Sequence, residues 1–578
     1  MKLKINIPWL IVFFLIIGII RSEIDSTAII SFEHTNIQSV LSETNLSFIP
    51  AYEWSFSGGM FGSGLPGFAN DIFYNELPDN DPLFGNISPA WINPRYTNIG
   101  LSQSQTNLNQ KPFYNYRKEL FSRFDWYRGD YNYGIFGAML SGRINGDYLF
   151  SLYGENFLFA GFHGLNNSNP SDVEQSISTN FVIDVKKSSE KYEIETGFNY
   201  KKISIGNIAF SNDFYQLPGR DGYGKRNKRQ FYVKLKNNDI ISPFSIGGEI
   251  SNYDYGYYPN IKTNSFFGQG YTSSILGGKS FYFAKDSIDF DFRLMNYSVF
   301  LEGMRDAENQ VLIGKIRHKT KRFGVAYENQ IGFKNKNVLF NTNINKKIGT
   351  KINIGIFVRI NHYQYPILYS LHPTIQNSPI DKDDFIAYQK YGAFLSWSNK
   401  YFSWKSTCEQ SVSEFYRPTQ NDVTDRVFVF NKTKLKDLFI NTQMRLKSPW
   451  YSELFVNIQY SPTINENEFY NLLLFGSIKQ SIILFNGNLN FYAESRANYV
   501  NGGNNLYWFD EFQTIGQSVR EYYTNEPLCF SARIGFHVAS LHMFYQFYNI
   551  EDRQFSNMPG MLMQSQLNVL GVEWYFLN

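Results

Sequence analysis

From about Tyr116 to the C-terminus the chain alternates apolar and polar residues with a period of two, and helical periodicity is nearly absent. In KINIGIFVRIN, Ile352, Ile354, Ile356, Val358 and Ile360 fall on one face of an extended segment. Asn353, Gly355, Phe357, Arg359 and Asn361 fall on the other. Tyr192, Ile194, Thr196, Phe198 and Tyr200 oppose Glu193, Glu195, Asn199 and Lys201 in the same way. So do Leu489, Phe491, Ala493, Ala497 and Tyr499 against Asn488, Asn490, Glu494, Arg496 and Asn498, with Tyr492 and Ser495 each breaking the pattern once. Successive side chains of a strand point to opposite faces, so each segment predicts a strand that is apolar on one side and polar on the other.

The connections come in two kinds. Ile348 to Thr350, Asn486 to Asn488 and Ala539-Ser540 are short enough for hairpin turns, whereas Asn207 to Lys225, Asn252 to Phe267, Tyr365 to Asp384 and Asn501 to Glu521 are long polar loops. Tight turns at one end and long loops at the other are the asymmetry of an outer-membrane barrel. A soluble sandwich would rarely string together so many amphipathic strands without interruption. A transmembrane barrel accounts for them by turning its apolar faces to lipid and its Asn, Glu, Arg and Lys to a wet lumen. The fold class is therefore all-β: a large antiparallel transmembrane β-barrel of about 22 strands.

Composition supports this. Among 578 residues aromatics reach 18%, with 54 Phe and 41 Tyr, yet the charged fraction is 18% and the mean hydropathy is −0.33. Much aromatic surface combined with overall polarity suits strands that are greasy on one side only. The net charge of +3 shows no domain-wide basic excess, so no nucleic-acid partner is expected. Cys408 and Cys529 belong to no CxxC or Cys/His cluster.

Chemical motifs are sparse. LGGKS, from Leu276 to Ser280, carries Ser273 where a phosphate loop needs its first Gly, and it reads as strand. GxSxG and HExxH are absent, so no enzyme, catalytic residue, metal ligand set or cofactor is expected. His537 and His542 flank the Ala539-Ser540 turn, and by parity both face the lumen, where they approach each other as polar wall residues. Asp381, Asp383 and Asp384 read as a solvated loop. Lys225, Arg226, Lys228 and Arg229 read as a barrel rim with the chemistry for lipid headgroups or an anionic ligand.

The ends carry addresses. Lys2 and Lys4 precede an apolar run from Ile7 to Ile20, so residues 1–22 read as a secretory signal. The run is shorter than the roughly 18 residues a spanning helix needs. Residues 23–114 form a different N-terminal region and 115–578 the barrel. At the far end Leu570, Val572, Trp574 and Phe576 alternate with Gly571, Glu573 and Tyr575, predicting a last strand that closes the barrel against the first one near Leu120 to Trp126. This strand resembles the C-terminal signal strand of outer-membrane proteins, which implies the barrel assembly machinery as a partner.

Ahead of the barrel, Ser55 to Gly67 is glycine-rich, and ANDIFYNELPDNDPLFG (Ala69 to Gly85) and ISPAWINPRYTNIGL follow. Ile72 to Tyr74, then Asn75, Glu76, Leu77 and Pro78, then Asp79, Asn80, Asp81 and Pro82, and finally Trp91, Ile92, Pro94 and Ile99 fall in the order of a plug: an apolar strand, a turn, an apolar segment. SRFDWYRGDYNYG, from Ser122 to Gly134, reads as a first hairpin. With these features the chain resembles the TonB-dependent receptors, although Glu76 stands where the plug turn usually has Gly, and the insert is shorter than a full plug. The resemblance implies a short plug-like insert with Asn75, Glu76, Leu77, Pro78, Asp79 and Asp81 at its turn, and a coupling box at Asp25 to Ser31. It further implies an outer-membrane location, lipid contact, a TonB-type coupling protein and an unknown small-molecule ligand bound or passed through the lumen. A passive porin-like channel and a non-transporting adhesive surface barrel are the alternative readings.

Overall fold

The computed structural model describes residues 71–577 apart from 75–76, 79–96, 103–104, 111–113, 117–118, 131, 160–175, 206–222, 259–265, 285, 302–306, 323, 366–378, 381–384, 421–427, 464–469, 504–505, 510–513, 519–527 and 553–565. The described residues form two sheets. The large one is a closed antiparallel barrel of 22 strands, starting with Phe121–Gly129 and ending with Leu567–Leu577. Each strand pairs with its sequence neighbours, and the ring closes through pairs from Val569↔Gly129 to Leu577↔Phe121. Closure satisfies every strand edge, a condition that lipid imposes because it offers no water to unpaired backbone groups.

The turn and loop ends separate as the sequence predicts. At one end the connections are short: 144–147, 189–191, 238–243, 284–285, 323–324, 349–351, 399–401, 448–451, 485–488 and 539–540. At the other lie 160–175, 206–222, 365–384, 461–469, 503–527 and 549–566, the intermediate 259–265 and 421–427, and the short 130–133, 302–306 and 335–336. In the two-residue turn 335–336, Asn335 takes φ 53° and its Oδ1 accepts a hydrogen bond from the Leu312 amide at 2.8 Å. Asn tolerates this left-handed conformation better than other side chains, which makes so tight a loop-end turn affordable. Within 503–527 a small hairpin, Leu506–Phe509 with Thr514–Ser518, lies outside the ring and pairs in parallel with the top of Phe402–Gln420, Thr419 opposite Gln517.

Two predicted loops are shorter than their composition implied. Strand Phe244–Tyr258 runs well into Asn252 to Phe267, leaving 259–265 as the connection, and Tyr223–Asn237 absorbs the end of Asn207 to Lys225. Strands that rise above the lipid carry Asn, Asp and Gly on their outer face, the residues that otherwise mark loops. LGGKS lies inside strand Phe266–Phe283, as read from sequence.

The second sheet has four strands in the order Leu77–Pro78, Asp71–Tyr74, Gln105–Gln110, Thr97–Ser102. Phe73-Tyr74 pairs antiparallel with Leu77-Pro78, while Asp71–Tyr74 runs parallel to Gln105–Gln110. A parallel pair needs a crossover, so the stretch around Ala69 to Gly85 belongs to a mixed sheet and is more than a hairpin. Asn75, Glu76, Asp79, Asp81 and the Asp25 to Ser31 segment lie outside the described residues.

A closed barrel of this size resists detergent at room temperature, so the protein is expected to migrate faster unheated than boiled in denaturing electrophoresis. A single band at the same position under both conditions would contradict the ring.

Candidate functional site: the inner wall of the barrel

Exposure sorts the two faces of each strand. On Ile352–Gln364, Ile354, Ile356 and Val358 are exposed outward, whereas Phe357, Arg359 and Asn361 are buried on the inner wall. Ile194 and Phe198 point out and Lys201 in; on the last strand Leu570 and Trp574 point out and Val569 and Glu573 in. Leu570, Val572, Trp574 and Phe576 therefore share the outer face of the closing strand, where Trp574 packs on Phe576 at 4.4 Å between ring centroids.

The inner wall is built in two tiers. Toward the turn end it carries charges arranged in cross-strand rows. Glu453 stands opposite Lys479, Lys479 opposite Glu494, and Glu494 opposite Arg533, so one row of alternating sign crosses four strands. Arg445 extends it to Glu453 at 2.6 Å, and Arg533 donates to Gln546 at 2.6 Å. Elsewhere on the wall Arg317 meets Asp289 at 2.9 Å and Lys390 meets Glu409 at 3.9 Å. Half-buried ions are tolerated when a partner of opposite sign lies within reach, and register on the sheet supplies that partner here.

The densest part of this tier lies at the seam where first and last strands meet. Glu573 is its hub. Its carboxylate accepts hydrogen bonds from the Tyr127 hydroxyl and, at 3.3 Å, from the Tyr575 hydroxyl. Arg123 approaches it at 3.7 Å and also binds Asp125 at 2.8 Å. His542 Nδ1 lies 3.1 Å from the same carboxylate, while its Nε2 is 2.8 Å from the Tyr492 hydroxyl. Both ring nitrogens are thus engaged, Nδ1 with the carboxylate and Nε2 with the tyrosine hydroxyl. His537 stacks on His542 with centroids 3.9 Å apart and planes 8° apart, fulfilling the parity argument for this pair across its turn. Among the described residues no group of three or more His, Cys, Asp or Glu is placed to hold a metal ion.

Toward the loop end the inner wall gains apolar and aromatic side chains beside buried polar ones such as Lys201 and Lys334. Tyr133, Phe157, Tyr255, Tyr297, Tyr388 and Tyr548 are all at least 97% buried there, with Val299, Leu301, Val311 and Ile313 between them. Tyr133 and Phe157 meet edge to face at 5.6 Å. This collar was not anticipated from the sequence. Its signal was present in segments such as Tyr297 to Leu301 (YSVFL), where both parities become apolar close to a loop. The basic cluster read as a rim is divided between faces: Lys228 lies inside over the Tyr253 ring at 5.4 Å, and Arg229 points outward, 4.0 Å from Asp254.

A closed ring with an apolar outside and an ion-paired inside defines a transmembrane barrel of the bacterial outer membrane. In fold it matches bacterial siderophore and iron receptors. The siderophore receptor PirA from Acinetobacter baumannii superposes with a TM-score of 0.66 at 9% identity, covering 93% of this chain and 97% of that one. The FrpB iron transporter from Neisseria meningitidis gives 0.69 at 8%, covering 92% and 98%. A variant of the ferric enterobactin receptor PfeA from Pseudomonas aeruginosa gives 0.65 at 8%, covering 94% and 99%. The chain matches no protein-family model and no curated protein sequence. The resemblance to TonB-dependent receptors drawn from the sequence therefore holds at the level of the fold.

Proposed function

We propose that the protein is an outer-membrane receptor that captures a small molecule at the loop end of the barrel and passes it through the lumen, with the N-terminal region as a reduced plug. The observation that carries this reading is the two-tier inner wall of a 22-strand ring. A purely aqueous channel has no need of an aromatic collar, whereas a capture site profits from packed rings that hold its mouth in one shape. Below the collar, laterally neutralised charges give a wall that a polar insert can slide along without stranding an ion. The mixed four-stranded sheet ahead of the barrel supplies a folded element to serve as that insert. Asn75 to Asp81 would form its turn, Asp25 to Ser31 would reach a TonB-type coupling protein, and the closing strand would be read by the barrel assembly machinery.

Iron chelates are the first cargo class to assay, because the solved barrels of the same fold are named for siderophores and iron. Deleting residues 24–113 while retaining the signal is expected to raise single-channel conductance in planar bilayers at least several-fold, since a ring of this strand number encloses a wide lumen once emptied. Unchanged conductance would sink the plug assignment. Uptake that persists after the inner-membrane coupling system is removed would favour a passive channel, the reading that the short insert keeps in play.

A further inference from the structure

We infer that the outer face of the tall hairpin Phe402–Gln420 and Phe428–Lys447 holds a binding site for a phosphate-bearing lipid headgroup of the outer leaflet, formed by Lys432, Lys434 and Lys436. On Phe428–Lys447 one face carries Leu438, Ile440, Thr442, Met444 and Leu446 in alternate positions, a largely apolar run from 438 to 446. Nine residues in a tilted strand match one crossing of the hydrocarbon layer, which takes about 9–11. Two tyrosines mark the loop-end edge of that band on the flanking strands. Tyr460 is opposite Ile440, and Tyr391 is opposite Gln410, which in turn is opposite Leu438; both rings are partly exposed. Interfacial tyrosines sit at headgroup level, so the next residues on the same face enter the phosphate layer.

Those residues are Lys436, Lys434 and Lys432. Alternate residues of a strand are about 7 Å apart along its axis, so the three ammonium groups climb through the headgroup region in a single file. Lys434 is 80% exposed and Lys432 is 52% exposed. Among the described residues the carboxylate paired with them is Glu414, 3.2 Å from Lys432 and 3.3 Å from Lys434, so two of the three cations share one counter-charge. The adjoining strand Ser452–Tyr460 stops opposite Ile440, and among the described residues no strand covers that edge of the lysine file. An open cationic row at the height of lipid phosphates is complementary to a multiply phosphorylated headgroup, which each ammonium meets through a charge-assisted hydrogen bond. The cluster around Arg229 lacks this form, because its cations are divided between lumen and lipid and Arg229 already faces Asp254.

The test uses the full-length protein in detergent, with diphosphorylated lipid A as probe and its dephosphorylated form as control, and bound lipid counted by native mass spectrometry. Lys432→Gln/Lys434→Gln/Lys436→Gln is expected to lower retention of the phosphorylated probe about tenfold or more while keeping the heat-shifted band of the folded ring. Lys434→Glu alone should lower it in the same direction. Retention equal to wild type in both variants overturns the site. So does equal retention of the two forms of the probe, or displacement of the lipid by millimolar inorganic phosphate, which would point to a free anion instead.

Discussion

Glu573→Ala is expected to destabilise the folded barrel by about 3–5 kcal/mol, the range observed when one partner of a buried ion pair is removed. The loss has several parts. Arg123 keeps Asp125 but loses its second carboxylate, His542 Nδ1 loses its acceptor, and the Tyr127 and Tyr575 hydroxyls lose theirs. With side-chain exposures of 3% for Glu573 and 7% for His542, water does not readily replace what is removed. Glu573→Gln should fall between wild type and alanine, since an amide oxygen still accepts from tyrosine but no longer balances the guanidinium. Urea midpoints of liposome-inserted protein, followed by tryptophan fluorescence, measure both. Coincident midpoints for all three proteins would remove the seam cluster from any role in holding the ring closed.

On the opposite face, Ile356→Arg is expected to cost about 2–4 kcal/mol, the price of a cation at the bilayer midplane on a lipid-facing position. Ile356 is 56% exposed, lies opposite Ile344, and sits at the centre of the apolar run from Ile352 to Ile360. The same substitution at Ile240, in the turn 238–243, should cost about 0–1 kcal/mol because the guanidinium there reaches the interface. Reversal of that order in unfolding titrations from lipid would mean that the apolar face does not touch acyl chains.

The barrel was legible because its physics is periodic. A strand that separates lipid from a polar interior must alternate, and Ile352 to Ile360 show it without any structural knowledge. The closing strand was legible for the same reason, down to the outward Leu570 and Trp574 and the inward Glu573. The His537 and His542 stack followed from parity across a two-residue turn. What escaped was whatever depends on height along the strand instead of on parity. Tyr255 and Tyr548 look like the residues of an aromatic girdle, and only three-dimensional placement shows them buried inside the loop end. Loop lengths were overestimated where strands leave the membrane, because Asn252 and Asp254 obey the chemistry of water there and not that of lipid. The seam hub was hidden for another reason: Tyr127 and Glu573 are 446 positions apart, and no local pattern links them.

That separation bears on how the chain reaches its final state. Neighbouring strands can zip up in order as they become available, but the Phe121–Gly129 edge has no partner until Leu567–Leu577 arrives. A polypeptide ending before Leu567 would present two raw edges, Phe121–Gly129 and Leu541–Tyr548, to lipid that cannot hydrogen-bond them. Truncation at the very end thus leaves the ring unclosed, and a nascent copy that stalls there remains an open, sticky ribbon suited to disposal.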